Sequence, residues 1–462
     1  MKHNRKANDP TMNIIIVGCG KIGQSLAEQL NEPGNNITVI DLSPETVEEV
    51  STRCDVLGVI GNGATHATQQ EAGIANTDLL IAVTGSDELN LLCCLIAKKS
   101  SNCQTIARVK SPEYSTDAGY LKDELGLAMV INPEQAAAEE ILRVLRFPAA
   151  TKIDTFAGGR VELVKFRLPE GSPLVGTSVR DAVTRLRCDV LFCTVERGEE
   201  AFIPKADLVF QEKDIISLVA SPKKASDFFA KIAYKTHSVK DVILAGGGEI
   251  AHYLCDLMEK NGIAFKVIEK NREVCDELST LYPSAAIIHG NAGDKEILME
   301  EGLSAAGAFV ALTSADEENI ILSLFAKNVG VGKVVTKIKR LDFSDVVRTL
   351  DLDTIICPKN ITADQIVRYV RAMKNTIGSN VETLYNVIQG KIEAAEFIVK
   401  EGSPIVDKPL SELHFRENLL VAAILRDKNV IIPRGNDRIL PGDHVVIVSE
   451  LTALHDISDV LK

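Results

Sequence analysis

Two glycine-rich segments of this sequence have the residue types and spacing of phosphate-binding turns. Residues 18–23 read Gly-Cys-Gly-Lys-Ile-Gly and residues 246–251 read Gly-Gly-Gly-Glu-Ile-Ala, and each segment follows a short apolar run. An acid, Asp41 or Glu269, occurs at the same distance after the first glycine of each segment. Glycines let backbone N–H groups approach a pyrophosphate, and an acid about 20 residues further on accepts hydrogen bonds from ribose hydroxyls. One copy of this pattern would be weak evidence, but two copies predict a pair of dinucleotide-type folds.

Each glycine of the first segment has its own expected role. Gly18 permits the tight turn, Gly20 lets the backbone approach the ligand, and Gly23 allows the following helix to pack closely on the strand. The exposed amides at the start of that helix, with the positive end of its dipole, then hold the anion. The charge of Asp41 would repel a 2′-phosphate, which favours NAD or another adenine nucleotide over NADP. The alternative is a glycine turn that packs a helix on a strand and binds nothing.

The two segments differ where phosphates would lie. Glu249 stands in the second segment where Lys21 stands in the first, and Ala251 stands where Gly23 does. Alanine is tolerated at the third glycine position, but a glutamate repels a polyphosphate at contact distance. We therefore predict that the first site accepts a more highly charged nucleotide than the second. The alternative for Lys21 is a solvated residue at the start of a helix.

Four further residues fall at predicted strand ends in matching positions. Thr84 and Thr313 follow the fourth strand of each copy, where ligands lie in open α/β sheets. The alternative role for each threonine is to cap the following helix. Arg108 and Lys337 are candidate phosphate or subunit contacts, with an ordinary surface cation as the alternative.

The repeat extends over nearly the whole chain and predicts the fold. Short apolar strands alternate with helical segments, which predicts in each half a doubly wound parallel sheet of about six strands. A second repeat, residues 170–219 and 401–448, alternates short strands with turn residues and predicts a small α+β module after each sheet. The expected class is α/β, with two tandem Rossmann-like domains that are each followed by a small α+β domain.

The expected boundaries follow from these repeats. The polar residues 221–240 are the expected linker between the two halves. The predicted parts are a disordered N-terminus at 1–11, sheet domains at 12–148 and 240–373, and small domains at 149–232 and 374–462.

Length and composition agree with this plan. The chain has 462 residues, which is more than one hydrophobic core usually supports. A formal charge of −13 disfavours binding to nucleic acid or to an anionic membrane surface. Neither a signal peptide nor a transmembrane run is visible. The ten cysteines show no metal-ligand spacing, so we expect buried thiols in a reducing cytoplasm and no metal site.

Catalytic groups are not evident. A hydride-transfer enzyme needs a substrate site and usually an acid or base near the nicotinamide. None of the eight histidines recurs between the halves, and no Walker lysine or nucleophile elbow occurs. The pattern favours nucleotide sensing over turnover.

At this point the sequence resembles a known family. An ordered set of motifs in the first half resembles the N-terminal subdomain of regulator-of-potassium-conductance (RCK, or KTN) domains. The set is Gly18-x-Gly20-x-x-Gly23, Asp41, Gly61-Asn62-Gly63, Thr84-x-x-Asp87-Glu88-x-Asn90 and Ala107-Arg108-Val109-Lys110. The segments from Gly171 to Asp214 resemble the C-terminal subdomain. Two tandem copies cover the chain from about Asn13 to its end.

The resemblance implies a function and a set of contacts. It implies a cytoplasmic homo-oligomer, a dimer or tetramer, that binds NAD(H) and adenine nucleotides such as ATP or ADP, and catalyses nothing. It also implies a place at the inner face of the plasma membrane, where the protein gates a membrane-embedded potassium-translocating subunit. The nucleotide contacts implied are Gly18, Cys19, Gly20, Lys21, Ile22, Asp41, Asn62, Thr84, Gly85 and Arg108, and in the second half Gly246, Gly247, Gly248, Glu249, Ile250, Glu269, Asn291, Thr313, Ser314 and Lys337.

Two other classes stay open at the level of sequence. An NAD-dependent oxidoreductase would show a stoichiometric redox change with some metabolite. An RCK-type regulator of another cation channel or antiporter would have the same architecture, and co-purification from membranes would identify its partner.

Overall fold

The computed structural model describes most of the chain. The described residues are 11–31, 35–111, 114, 118–168, 171–198, 200–232, 239–339, 350, 352–376, 381–388, 391–427, 429–450, 454 and 456–462. The disorder predicted for residues 1–11 therefore falls almost entirely outside them. One compact unit comprises residues 1–137 and 357–370, and the other comprises residues 138–356 and 371–462.

The first sheet has six parallel strands in the order β3-β2-β1-β4-β5-β6. The strands are β1 Met12–Val17, β2 Asn35–Asp41, β3 Leu57–Ile60, β4 Leu79–Ala82, β5 Gln104–Arg108 and β6 Met129–Ile131. The helices are α1 Lys21–Leu30, α2 Pro44–Cys54, α3 His66–Glu71, α4 Asp87–Ser100, α5 Ala118–Glu124 and α6 Pro133–Arg146. The strand order reverses between β1 and β4, and ligands of such sheets lie beyond the carboxyl ends of the strands at this point. The predicted six-stranded doubly wound sheet is confirmed.

The first small domain is a five-stranded antiparallel sheet with two helices. Its strands are β7 Lys152–Phe156, β8 Val161–Arg167, β9 Leu191–Arg197, β10 Glu200–Phe202 and β11 Ile215–Ala220, in the order β10-β9-β11-β8-β7. Its helices are α7 Val179–Leu186 and α8 Pro222–Lys231. Phe228 and Phe229 of α8 are fully buried against Phe166 of β8. The prediction of a linker at 221–240 is therefore wrong for residues 222–231, because these aromatic side chains complete the core of the domain.

The second half repeats this plan. Its parallel strands are β12 Asp241–Ala245, β13 Ala264–Glu269, β14 Ala286–His289, β15 Ala308–Ala311, β16 Lys333–Lys337 and β17 Thr354–Ile356, in the order β14-β13-β12-β15-β16-β17. Its helices are α9 Glu249–Lys260, α10 Arg272–Leu281, α11 Lys295–Glu300, α12 Asp316–Val329 and α13 Pro358–Thr376. The antiparallel strands are β18 Val381–Ile388, β19 Ile392–Ile398, β20 Leu419–Arg426, β21 Asn429–Ile431 and β22 His444–Ser449, in the order β18-β19-β22-β20-β21. A 3-10 turn, Leu410–Glu412, lies in the chain where the first small domain has α7.

The two antiparallel sheets pack face to face within the second compact unit. Their shared core contains Phe156 and Leu163 from one sheet and Ala394 and Val446 from the other. The Tyr385 hydroxyl donates a hydrogen bond to the Thr155 carbonyl at 2.7 Å across this face. The small domains therefore bury apolar surface that neither could bury alone.

A buried lysine, which sequence reasoning missed, joins the second parallel sheet to the chain that precedes β7. Lys333 is 0% exposed, and its Nζ donates to the Ala150 carbonyl at 2.6 Å and lies 3.2 Å from Asp353 Oδ2. Burial lowers the pKa of Lys333, and the neighbouring Asp353 opposes that shift. Gln104 occupies the matching position of the first half and is exposed, so only one copy carries this contact.

Each small domain contains the same ion pair between a buried aspartate and a half-buried arginine. Arg426 Nε and Nη2 donate to the two carboxylate oxygens of Asp443 at 2.9 and 2.8 Å, and the carboxylate also accepts from Leu440 N at 2.8 Å. Arg197 and Asp214 form the matching pair at 2.8 and 2.8 Å. This hydrogen bond raises the pKa of each arginine.

Asp443→Ala should destabilise the second small domain by about 2 kcal/mol, because a guanidinium and a backbone amide lose their acceptor. The control is Glu417→Ala, whose carboxylate is 87% exposed beside Lys462; its effect should stay within about 0.5 kcal/mol. Urea denaturation of both variants measures the difference. Equal midpoints would contradict the role assigned to the pair.

Candidate functional site

Each glycine turn depends on a backbone conformation that other residues rarely adopt. Gly18 has φ of +100°, and a Cβ built on it would lie 2.9 Å from Thr84 N. Gly246 has φ of +106°, and its Cβ would lie 3.0 Å from the carbonyl carbon of Leu312. Glycine adopts this region at little cost, and here it also lets the turn lie against the end of the fourth strand. The role predicted for Gly18 therefore has a structural basis.

The strand-end acids brace these turns. Asp41 accepts a hydrogen bond from Cys19 N at 2.7 Å through Oδ2 and one from Ser43 N at 3.0 Å through Oδ1. Glu269 does the same in the second half, with Gly247 N at 2.7 Å and Asn271 N at 2.7 Å. Sequence reasoning gave these acids only a ribose-binding role and missed the bracing. An ionised carboxylate has about four acceptor positions, so each acid retains capacity for ligand hydroxyls.

The two helix starts face open space. Gly20 is the N-cap of α1 and Gly248 that of α9, and neither makes a side-chain capping bond. A Cβ built on either glycine would meet nothing within 4 Å. The first amides of a helix have no partner within the helix, so this arrangement can hold an anion.

The residues beside these amides differ in charge. Lys21 and Glu249 are the first residues of α1 and α9, and both are exposed. The Cys19 thiol is buried, and burial, with Asp41 adding to it, raises its pKa to about 12. The thiol is therefore neutral at physiological pH and is a poor nucleophile.

An asparagine that sequence reasoning left out of the site joins the ends of the fourth and fifth strands. Asn90 Oδ1 accepts from Thr84 N at 2.8 Å and from Thr84 Oγ1 at 2.7 Å, and its Nδ2 donates to the Arg108 carbonyl at 2.9 Å. Asn319 makes the same contacts to Thr313 N at 2.8 Å and the Lys337 carbonyl at 3.0 Å. An asparagine occurs at this position of the repeated motif in both halves, and this repetition was the sequence signal that could have identified it.

The capping role considered for the threonines is wrong. Ser86 is the N-cap of α4, with its side chain accepting from Leu89 N, and Ala315 holds that position before α12. Thr84 instead binds the asparagine. Asp87 and Asp316 lie in the first turns of α4 and α12, where an acid interacts favourably with the helix dipole.

Arg108 and Lys337 are not ordinary surface cations. The Arg108 side chain is only 17% exposed, with Nη1 3.3 Å from the Thr84 carbonyl and Nη2 3.4 Å from Glu134 Oε1. Lys337 is 8% exposed, and its Nζ donates to the Leu312 carbonyl at 2.7 Å. Both cations are thus directed at the end of the fourth strand. Glu134, the second residue of α6, was not identified from the sequence.

Other predicted contacts shape the loops around the turns. Asn62 Oδ1 accepts from Ala64 N at 2.9 Å, and Asn291 Oδ1 accepts from Gly293 N at 3.0 Å. Gly85 and Ser314 are exposed immediately after the threonines, whereas Ile22 is half-buried and Ile250 is buried. The loops that carry Asn62, Gly85, Asn291 and Ser314 all lie at the carboxyl edge of a sheet.

Within the described residues, no three His, Cys, Asp or Glu side chains are grouped to hold a metal, and no helix is long and apolar enough to cross a bilayer.

The third glycine position tests how tightly each helix packs. A Cβ on Gly23 would lie 1.8 Å from the Gly18 carbonyl oxygen, whereas Ala251 occupies the matching position of the second half and is fully buried. Gly23→Ala should destabilise the first turn by about 2 kcal/mol through overpacking, and Ala251→Gly should cost about 1 kcal/mol through helix propensity. Hydrogen exchange of the α1 and α9 amides measures both. Unchanged protection of α1 in Gly23→Ala would refute the close packing.

Family models match almost all of this architecture. The TrkA-N domain matches residues 14–133 and 242–358, and the TrkA-C domain matches residues 163–233 and 394–462.

Curated relatives and solved structures agree with these matches. The chain is similar to a Trk system potassium uptake protein TrkA homolog of Methanosarcina mazei, with 31% identity over 98% of this chain and 100% of the relative. It is also similar to Trk system potassium uptake protein TrkA of Halomonas elongata, with 30% identity over 94% of this chain and 95% of the relative. A solved structure described as the GsuK channel bound to NAD superposes with a TM-score of 0.63 and 16% identity, covering 96% of this chain and 77% of that chain. That likeness shows the fold alone. The duplicated sheets, the glycine turns and the full-length matches together show that the chain belongs to the TrkA family, in which TrkA-N and TrkA-C domains occur in tandem.

Proposed function

We propose that this chain is a cytosolic nucleotide-sensing subunit that gates a membrane-embedded potassium-translocating protein of the TrkH or TrkG type. In this proposal both glycine turns bind NAD(H) or an adenine nucleotide such as ATP or ADP. The observation that carries it is the pair of open helix starts at Gly20 and Gly248, each beside a braced acid that retains acceptor capacity. The names of the relatives, which describe potassium uptake, support the transport role. A similar structure described as bound to ADP, with a TM-score of 0.51, supports the choice of ligand.

The proposed action is binding without chemical conversion. The groups at the turns are backbone amides, carboxylates that hold those amides, and cations held by strand-end carbonyls. Such groups position an anion and a ribose. The neutral Cys19 thiol is no candidate for covalent chemistry. We therefore propose a regulator and not an oxidoreductase.

The proposed coupling is a shift between two conformations of a homo-oligomer, a dimer or tetramer at the inner face of the plasma membrane. A ligand shifts such an equilibrium only through its difference in affinity for the two states. Coupling free energies between sites are typically about 1–3 kcal/mol. In a tetramer with two turns in each chain, the coupling free energies of several sites would sum. The ion selectivity of the response would come from the membrane partner.

Asp41→Ala should weaken nucleotide binding at the first turn by roughly tenfold or more, because a charged acceptor for the ribose and the brace on Cys19 N are both lost. Calorimetry with NAD measures the binding, and potassium uptake measures the nucleotide response, which should fall in parallel. Asp78→Ala is the matched control, since Asp78 Oδ2 also accepts a backbone amide, Asn13 N at 2.8 Å, at the opposite end of the sheet. A full nucleotide response in Asp41→Ala, or an equal loss in Asp78→Ala, would reject the proposal.

Lys21→Glu should reduce the preference of the first turn for ATP over NAD. The added carboxylate repels the larger charge of ATP at contact distance. The measurement uses the full chain with Glu269→Ala, which leaves the first turn as the intact site. Glu249→Lys, measured with Asp41→Ala, should change the preference of the second turn in the opposite direction. An ATP-to-NAD affinity ratio that is the same with lysine and with glutamate would show that these residues do not set ligand charge.

A further inference from the structure

The two nucleotide turns differ at the ribose end as well as at the phosphate end. In the first half, the residues that surround Asp41 at the strand ends are Leu42, Pro44 and Ile60. The matching residues around Glu269 are Lys270, Arg272 and His289. Three apolar side chains in one copy are thus three basic side chains in the other.

These basic residues lie next to the acid along the chain or in the strand register. His289 is in register with Glu269 across β13 and β14, and its Nε2 lies 3.1 Å from the Lys270 carbonyl. Lys270 and Arg272 flank Asn271, whose backbone N–H donates to Glu269 Oε1 at 2.7 Å. All three basic side chains are exposed. The first half has Leu42 at 66% and Ile60 at 56% exposure in the same places.

The acidic residues of this region do not cancel the difference. Residues 269–277 contain Glu269, Glu273, Asp276 and Glu277, and the first half has Asp41, Glu45, Glu48 and Glu49 in the matching positions. These segments therefore differ by the added lysine and arginine, and the next strand end adds His289 with Asp294 five residues later, where the first half has Thr65. The pairing of Arg272 with Asp276 at 3.4 Å is weak, since both side chains are more than 70% exposed.

We propose that the second turn accepts an adenosine nucleotide that carries a phosphate on its ribose, the class of NADP(H), whereas the first turn accepts one with free ribose hydroxyls. This inference rests on the proposed nucleotide-binding function. In Rossmann-type sites a nearby cationic side chain accommodates the 2′-phosphate. Glu269 and Asp41 each accept two backbone N–H groups, so the acids themselves do not distinguish the two turns, and the basic side chains beside Glu269 supply the difference. Glu249 lies at the phosphate end, where NAD and NADP carry the same pyrophosphate, so this residue does not distinguish the two ligands.

The test uses the full chain with Asp41→Ala, so that the second turn is the intact site. Calorimetric titration should show NADP binding more tightly than NAD by roughly tenfold, the value of one hydrogen bond to a charged group. This preference should weaken as salt is raised, because the basic groups are exposed. Equal affinities, or tighter binding of NAD, would overturn the inference.

Exchange of the matching residues gives a second, independent test. Lys270→Leu, Arg272→Pro and His289→Ile together place the first-half residues in the second half, where proline suits the first position of α10 as Pro44 suits that of α2. The NADP preference should disappear while NAD still binds. The reverse exchange, Leu42→Lys with Pro44→Arg in a chain carrying Glu269→Ala, should raise the affinity of the first turn for NADP. An unchanged NADP-to-NAD ratio in both exchanges would overturn the inference and leave the proposed function standing. Absence of binding of any adenine nucleotide to the unsubstituted chain would reject both.

Discussion

A hydrogen bond between a strand-end carboxylate and a backbone amide of the glycine turn holds each proposed nucleotide site together. Asp41 binds Cys19 N at 2.7 Å and Glu269 binds Gly247 N at 2.7 Å. The same carboxylates also accept the backbone N–H of Ser43 or Asn271 in the loop before the next helix, so one acid links the first and second crossover connections of its sheet. A ribose that binds to this acid would contact the group that shapes the phosphate site. Occupation of the ribose position and the geometry of the turn are therefore physically linked.

A second set of polar contacts fixes the other side of each site. Asn90 and Asn319 join the backbone after the fourth strand to the end of the fifth strand, just beyond the last residues at which these two strands pair. Arg108 and Lys337 place their charges against the same backbone. Groups held in this way lose little freedom when a ligand arrives, which lowers the entropic cost of binding. The cations are also partly desolvated, so their attraction for a phosphate is stronger than in water.

The two halves have the same skeleton and different charges. Strand order, the acid brace and the asparagine contacts are the same in both, whereas Lys21 and Glu249, Gly23 and Ala251, and the residues around the two acids are not. Contacts that hold the backbone recur because both copies need the same turn geometry. Exposed side chains at the mouth of a site make few contacts with the fold, so they can differ without cost to it. On this basis the two proposed sites would differ in specificity within one chain.

The sequence by itself determined the architecture and predicted the location of the sites. The apolar runs before Gly18 and Gly246 predicted parallel strands, and the duplicated acids predicted which sheet edge binds the ligand, because these features depend on local periodicity and on the backbone freedom of glycine. Contacts between distant segments have no such local signature. Only the tertiary structure showed that Phe228 and Phe229 belong to a core and not to a linker, that Lys333 is buried against Ala150, and that Glu134 pairs with Arg108. Only the tertiary structure also showed that Asp41 accepts a backbone N–H group of the glycine turn. The residue type alone does not reveal whether a carboxylate binds a ribose, a backbone amide or both.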